Sequence, residues 1–195
     1  MNAADLLTEL TECFQHEAYP GDENIVTNNA PAYDVESLQI RDTFKVHTWQ
    51  TLPDELMQHE QGGYCFLSTR GLKYYLPAYL HFAVRAYAEA DSIPDGLIFS
   101  LTLPTEEDDL AVNFDAEPKQ LTEQLLAGEW AASPQTRRYE LSERVEYFLD
   151  RYGQFSGAQG RAIYHFLVFM REKHGHEYFN DEPNIAIQRY WYQFA

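Results

Sequence analysis

The strongest constraint on how this chain can fold is one run of apolar residues at helical spacing between residues 69 and 87. Apolar positions recur there at i, i+3, i+4 and i+7, the pattern of an amphipathic helix: Leu72, Tyr75, Leu76, Tyr79, Leu80, Ala83, Val84 and Tyr87. A second apolar strip, Tyr74, Ala78 and Phe82, lies beside the first. A helix that is apolar over so much of its surface is typical of the centre of a core. Because Pro77 lacks an N–H and clashes with the carbonyl four residues earlier, we expect a kink or a restart of the helix there.

Shorter stripes of the same kind predict further helices on both sides of this one. They cover residues 3–18, two segments within 35–60, residues 118–126, and three segments of the C-terminal third that begin near Leu141, after Ser156 and at Pro183. Residues 131–138 have the composition of a linker. The chain is therefore expected to be helical along most of its length.

Sustained alternation of apolar and polar residues, which indicates a strand, is rare in this sequence. Only residues 64–67 and 97–101 have a brief strand-like pattern. Polar, turn-forming segments predict loop-rich excursions at residues 20–34 and 91–117. We expect a mostly α protein: a single-domain orthogonal helical bundle over residues 1–195, with at most a minor strand pair.

The charge of the chain is large and unevenly distributed. The formal net charge is −17, and residues 1–150 carry 27 acids and 9 bases, whereas residues 151–195 carry 4 acids and 5 bases. The densest part, residues 86–136, has 11 acids and one base, Lys119. The electrostatic field of this excess negative charge repels nucleic acid and anionic lipid and attracts cationic surfaces. The sequence therefore predicts a basic protein partner and excludes nucleic acid and membrane.

The acidic middle supplies the candidate partner-binding residues, because turn-forming neighbours are expected to expose them. They are Glu106, Glu107, Asp108, Asp109, Asp115 and Glu117. Adjacent acids on a polar loop offer no contrast of environment for acid–base catalysis. No catalytic residue and no cofactor site is therefore predicted.

Three other groups of residues are candidates for chemistry. His174-Gly175-His176-Glu177 has donor atoms that zinc prefers, but the spacing is wrong and a helix C-terminus alone favours histidine, so no metal site is expected. Cys13 and Cys65 lack metal spacing and are expected to be buried thiols in a reducing cytoplasm. His81 and His165 are interpreted as core or boundary histidines.

No apolar run reaches the roughly 20 residues that span a bilayer, and the N-terminus has no basic region of the secretory type. We therefore expect a cytoplasmic location.

Two stretches carry a resemblance to a known family. One is residues 66–80, with a Tyr-Tyr-Leu-Pro-Ala core at 74–78; the other is the late block with Gln159, Phe166-Leu167 and Arg189-Tyr190-Trp191. Together they resemble an uncharacterised bacterial family known only as a domain of unknown function, over roughly residues 34 to 192. The resemblance implies a soluble bacterial protein with a mostly helical fold and transfers no catalytic residue. The acidic stretch at 104–117 lies outside the parts that carry it.

Two functions from different classes remain open. The first is an acidic cytoplasmic binding protein, such as an immunity protein that neutralises a bacterial toxin by occluding a basic surface. The alternative is a small enzyme or ligand-binding helical domain with a pocket between helices, lined by Tyr74, His81 or His165. The oligomeric state is left open.

Overall fold

Helix α5, Thr69–Arg85, is the most deeply buried element in the computed structural model of the chain. The structure describes residues 1–29, 35–106, 108 and 134–195, and only the backbone of 134–139. Ser68 caps α5, because its hydroxyl oxygen accepts a hydrogen bond from the Gly71 N–H at 3.0 Å. The helix is continuous through Pro77, so the expected restart is not observed. Pro77 is buried within the helix, where it offers no N–H to the carbonyl four residues earlier.

The chain divides into two compact units, residues Met1–Thr102 with Gln154–Ala195, and residues Leu103–Gly153. In the first unit the helices are α1 (Ala3–Phe14), α2 (Val35–Phe44), α3 (Asp54–His59), α4 (Gly63–Phe66), α5, α6 (Ile93–Ser100), α8 (Gly157–His174) and α9 (Glu182–Arg189). The described helix of the second unit is α7 (Pro134–Tyr152). Short 3₁₀ helices cover Asp22–Asn24, Gly175–Glu177 and Trp191–Phe194.

The mostly α fold class is confirmed, and both segments with a strand-like pattern are helical. Residues 64–66 belong to α4, and most of 97–101 belongs to α6. Within the described ranges, the β-pairing is a single antiparallel bridge between Val26 and Leu67. Leu97 and Leu101 are fully buried, whereas Phe99 between them is 83% exposed. Residues four apart share a helix face, so a helix buries both leucines and turns Phe99 outward.

Several predicted boundaries differ from the structure. Helix α1 ends at Phe14 rather than near residue 18. Helix α6 lies inside the segment 91–117 that was expected to be rich in loops, and α7 begins at Pro134, inside the predicted linker. Proline is favoured in the first helical turn, where its missing N–H has no intrahelical partner to lose. The helix predicted at 118–126 lies outside the described residues.

The core contains the residues that the helical stripes predict. Leu76, Leu80 and Val84 of α5 are buried, as are Phe166, Leu167 and Met170 of α8. Helix α1 packs against both α5 and α8, and α8 also packs against α9. Their apolar faces therefore meet inside the first unit.

Two tyrosines of α5 hold the ends of two shorter helices. The Tyr75 hydroxyl donates to the carbonyl oxygen of Phe44 at 3.0 Å and lies 3.1 Å from that of His47, just after α2. One turn later, the Tyr79 hydroxyl donates to the carbonyl oxygen of Glu60 at 3.2 Å, just after α3. Carbonyls at a helix C-terminus lack intrahelical donors, so these hydroxyls satisfy them.

Candidate protein-binding surface

The predicted partner-binding acids are only partly within the described structure. Glu106 is exposed. The Asp108 carboxylate accepts a hydrogen bond from the Thr105 backbone N–H at 2.7 Å and lies 3.4 Å from its hydroxyl, so Asp108 also serves as a local cap. Glu107, Asp109, Asp115 and Glu117 lie outside the described residues.

Upstream in the acidic middle, a hydrogen-bonded turn presents further acids. The Gln61 amide donates to the carboxylate of Asp91 at 3.1 Å, and the Ser92 hydroxyl donates to the Gln61 side-chain oxygen at 2.6 Å. The Gln58 amide donates to the carbonyl oxygen of Glu89 at 2.9 Å. The turn between α5 and α6 is thereby held against α3 and the residues that follow it.

A second segment, distant in sequence, meets this turn. The rings of Tyr87 and His174 are stacked, with centroids 3.5 Å apart and planes inclined by 9°. The Tyr87 hydroxyl donates to that of Tyr178 at 3.3 Å. Burial raises the pKa of Tyr178, and the nearby Asp95 carboxylate raises it further. We call the meeting of residues 86–102 and 174–188 the Tyr87–His174 junction.

The junction combines acids from both segments. Residues 86–102 and 174–188 together contain six acids and neither Lys nor Arg: Glu89, Asp91, Asp95, Glu177, Asp181 and Glu182. Five of these side chains are exposed and Glu182 is half-buried. Within the described structure, none of the six lies within ion-pair distance of a lysine or arginine. The junction therefore carries more acids than bases, with Arg85, Lys173 and Arg189 at the borders of its segments and Arg171 Nη1 donating to Asn184 Oδ1 at 3.2 Å.

The charge distribution along the sequence does not single out this surface. The acids of the second segment belong to a C-terminal part with no net negative charge, so composition did not select them. The contact of Tyr87 with His174 and Tyr178 brings the two acidic segments together, and no local sequence pattern predicts that contact.

The histidine pair also lies at the junction. His174 Nδ1 is 3.4 Å and His176 Nε2 is 3.7 Å from the same oxygen, Oε1 of Glu177. Among the residues that the structure describes, no group of three or more His, Cys, Asp or Glu is placed to hold a metal. The local geometry is that of two histidines beside one carboxylate.

The residues named for the alternative function lie apart from one another along two helices. His81 Nε2 is 3.2 Å from Thr11 Oγ1, and burial, with a smaller effect of Arg85, lowers the pKa of His81 to about 4. His165 Nδ1 is 2.8 Å from Glu9 Oε2. Tyr74 is buried and its ring packs edge-on against that of Tyr75.

The structure contradicts the prediction that both cysteines are buried. Cys65 is exposed and Cys13 is half-buried, so the two thiols are not both buried. Cys65 lies in the apolar run 64–67, where α4 buries Tyr64 and leaves Cys65 exposed. Burial, then Glu9 and Glu12, raises the pKa of Cys13.

The chain belongs to a family of unknown function, DUF6714, whose sequence pattern matches residues 3–127. The match includes the acidic stretch at 104–117, which the resemblance had left out, and ends before the late block at 159–191. Comparison with curated proteins and with solved structures found no match. None of the described helices is long and apolar enough to cross a membrane.

Proposed function

We propose that this chain is an acidic binding protein of the bacterial cytoplasm that occludes a basic surface on a partner protein, as an immunity protein does when it neutralises a toxin. The observation that carries the proposal is an excess of acids: six exposed or half-buried acids at the junction, and 11 acids against one base over residues 86–136. Toxins that act on nucleic acid have basic clefts, and an acidic inhibitor is complementary to them.

Electrostatics of this kind acts mainly on the rate of association. A negative surface steers a positive partner over distances comparable to the Debye length, about 10 Å at 0.1 M salt. The association rate constant is therefore expected to fall as salt rises from about 50 mM to 500 mM. Dissociation depends on contacts already formed and is expected to change less.

The experiment begins with capture of the partner from the native cytoplasm and its identification by mass spectrometry. Association is then measured with the purified partner for the wild type and for a variant with Glu106→Gln, Glu107→Gln, Asp108→Asn and Asp109→Asn. Asparagine at 108 keeps an oxygen that can accept from Thr105.

A control variant removes the same number of charges near the N-terminus: Asp5→Asn, Glu12→Gln, Glu23→Gln and Glu36→Gln, all at exposed positions. We expect the first variant to associate several-fold more slowly than the control. An association rate indifferent to salt and equal in both variants would show that the acidity serves solubility alone.

One observation favours the alternative, a ligand-binding or enzymatic domain. The indole N–H of Trp49 is buried without a hydrogen-bond partner in the described structure, and its ring lies 5.6 Å from that of His81. The Thr11 hydroxyl donates to the carbonyl oxygen of Leu7 at 2.8 Å, so it accepts from His81 Nε2–H. His81 Nδ1 then has a lone pair that can accept.

A small ligand with a hydroxyl group could accept from Trp49 and donate to His81. A thermal-shift screen of small metabolites tests this alternative, because a ligand that binds only the folded state raises the melting temperature. Stabilisation that disappears in His81→Phe would favour it over the protein-binding function.

A further inference from the structure

Two large apolar side chains are exposed at the Tyr87–His174 junction. Phe179 is fully exposed, at 101% of its reference area, and Phe99 is 83% exposed. Burying such a side chain against a partner is favourable, because it removes apolar surface from water. Single exposed apolar residues are common, so the significant question is whether these two share one surface.

The contacts of the junction bring the elements that carry them together. Phe99 follows Asp95 by four residues in α6, and residues at that spacing lie on the same helix face. Helix α6 packs against α9, which begins three residues after Phe179. The Asp95 carboxylate of α6 also contributes to the raised pKa of Tyr178, which directly precedes Phe179. The two exposed rings are therefore carried by elements that pack against each other.

The backbone that carries Phe179 is held in place. Tyr178 is buried and bonded to Tyr87. The Asp181 N–H donates to the carbonyl oxygen of Tyr178 at 3.2 Å, which closes a turn around Phe179, and the Asn184 N–H donates to that of Asp181 at 2.9 Å. A side chain on an ordered turn loses less conformational entropy on binding than one on a mobile loop.

The charge around the two phenylalanine rings indicates what kind of partner can bind there. Six acids lie within the two segments of the junction, and the bases at the borders of these segments, Arg85, Lys173 and Arg189, are fewer. A second copy of this chain, with net charge −17, is repelled there, as is nucleic acid. A protein interface combines aromatic anchors with a charged or polar rim.

We propose that Phe179, with Phe99 beside it, is the apolar anchor of the interface, and that the partner is a folded basic protein with an apolar pocket for the Phe179 ring. This inference rests on the proposed function and assigns it a contact point in the described structure. The acids then set how fast the partner associates, and Phe179 sets how slowly it leaves.

Site-specific crosslinking tests the contact point. Benzoyl-phenylalanine is incorporated at position 179 in the native cells, and at position 46 as a control, because Val46 is also exposed, at 70%. We expect a crosslink from position 179 to one basic protein, and none from position 46. Any of four results would overturn the proposal: no crosslink at position 179, equal crosslinks at both positions, a crosslink to a second copy of the chain, or a crosslink to an acidic protein.

Kinetics with that purified partner separates the two proposals. Phe179→Ala is expected to raise the dissociation rate at least tenfold and to leave the association rate within about twofold. Phe179→Leu should recover part of the loss, and Val46→Ala should match the wild type.

The outcomes are distinguishable. If salt slows association but Phe179→Ala leaves dissociation unchanged, the acidic binding function stands and the anchor is wrong. If Phe179→Ala speeds dissociation while salt has no effect, the anchor stands and the electrostatic function is wrong.

Discussion

Gly71, in the first turn of α5, lies against the backbone carbonyl oxygen of Ile25 so closely that a Cβ at position 71 would be 2.0 Å from that oxygen. The same oxygen accepts a hydrogen bond from the Ser68 N–H at 2.9 Å, and the Thr27 N–H donates to the carbonyl oxygen of Phe66 at 3.0 Å. The segment after α1 is thus bound directly to the start of the central helix.

Gly71→Ala is therefore expected to be strongly destabilising. The obstructing atom is backbone and cannot rotate away, so either the loop or α5 must shift, at a cost of about 2 kcal/mol or more. Gly62→Ala is the matched control, because nothing lies within 4 Å of its added methyl, and it should change stability by less than about 1 kcal/mol. Urea unfolding measures both. Equal stability of the two variants would mean that the loop is not docked on α5.

Gly63 and Tyr79 form a second close contact that a double-mutant cycle can measure. A Cβ at Gly63 would lie 2.7 Å from the Tyr79 hydroxyl oxygen, and that hydroxyl donates to Glu60. We expect Gly63→Ala to cost about 1–3 kcal/mol in the wild type. In the Tyr79→Phe background, where the hydroxyl is gone, it should cost at least about 1 kcal/mol less. Additive effects in the cycle would contradict the contact.

Leu80 tests the assignment of the core. Its side chain is fully buried in α5, so Leu80→Ala should lower the free energy of unfolding by about 2–5 kcal/mol. Val46→Ala, at a position that is 70% exposed, should change it by less than about 0.5 kcal/mol. An unchanged melting temperature for Leu80→Ala would show that the helix is assigned to the wrong face.

The helical period of α5 was sufficient to predict the fold class, because that helix is buried on nearly every side. Periodicity did not predict the helix at residues 97–101, because the spacing of Leu97 and Leu101 fits a strand and a helix equally well. Phe99 distinguishes the two, since only a helix places it opposite both leucines, and its exposure is visible only in the folded chain. Short apolar segments are ambiguous for this reason.

The candidate surface was less predictable than the fold. The acidic middle was evident from its charge, but the other half of the junction carries few acids and follows α8. Its link to the first half is a ring stack between Tyr87 and His174. Contacts of this kind depend on how α5 and α8 are placed by tertiary packing, which single-sequence periodicity does not encode.

The histidine pair gives a prediction about zinc. We expect protein purified without added metal to contain no stoichiometric zinc, because His174 is stacked on Tyr87 and both histidines face the one Glu177 carboxylate. Elemental analysis by mass spectrometry measures the content. Zinc at one equivalent that is lost in His176→Ala would overturn this expectation.

His81 gives a prediction about pH. Its pKa is lowered to about 4 in the folded protein, against an ordinary value of 6.5, because burial disfavours the charged ring. A group with a depressed folded pKa contributes stability that is present above pH 6.5 and lost as the pH falls towards 4. His81→Gln, which can still bond to Thr11, should remove this part of the acid sensitivity.

The measurement is urea unfolding of His81→Gln and of the wild type between pH 4 and pH 7, a range set by the two pKa values of His81. When one proton binds only the unfolded state, the free energy of unfolding changes with pH by at most about 1.4 kcal/mol per pH unit. Partial exposure of the His81 ring reduces this slope. Val46→Ala, at an exposed position without a titratable group, provides the control, and its curve should run parallel to the wild type. Parallel curves for all three proteins would show that His81 accepts a proton as readily in the folded chain as in the unfolded one, and would remove the argument for a neutral imidazole beside Trp49.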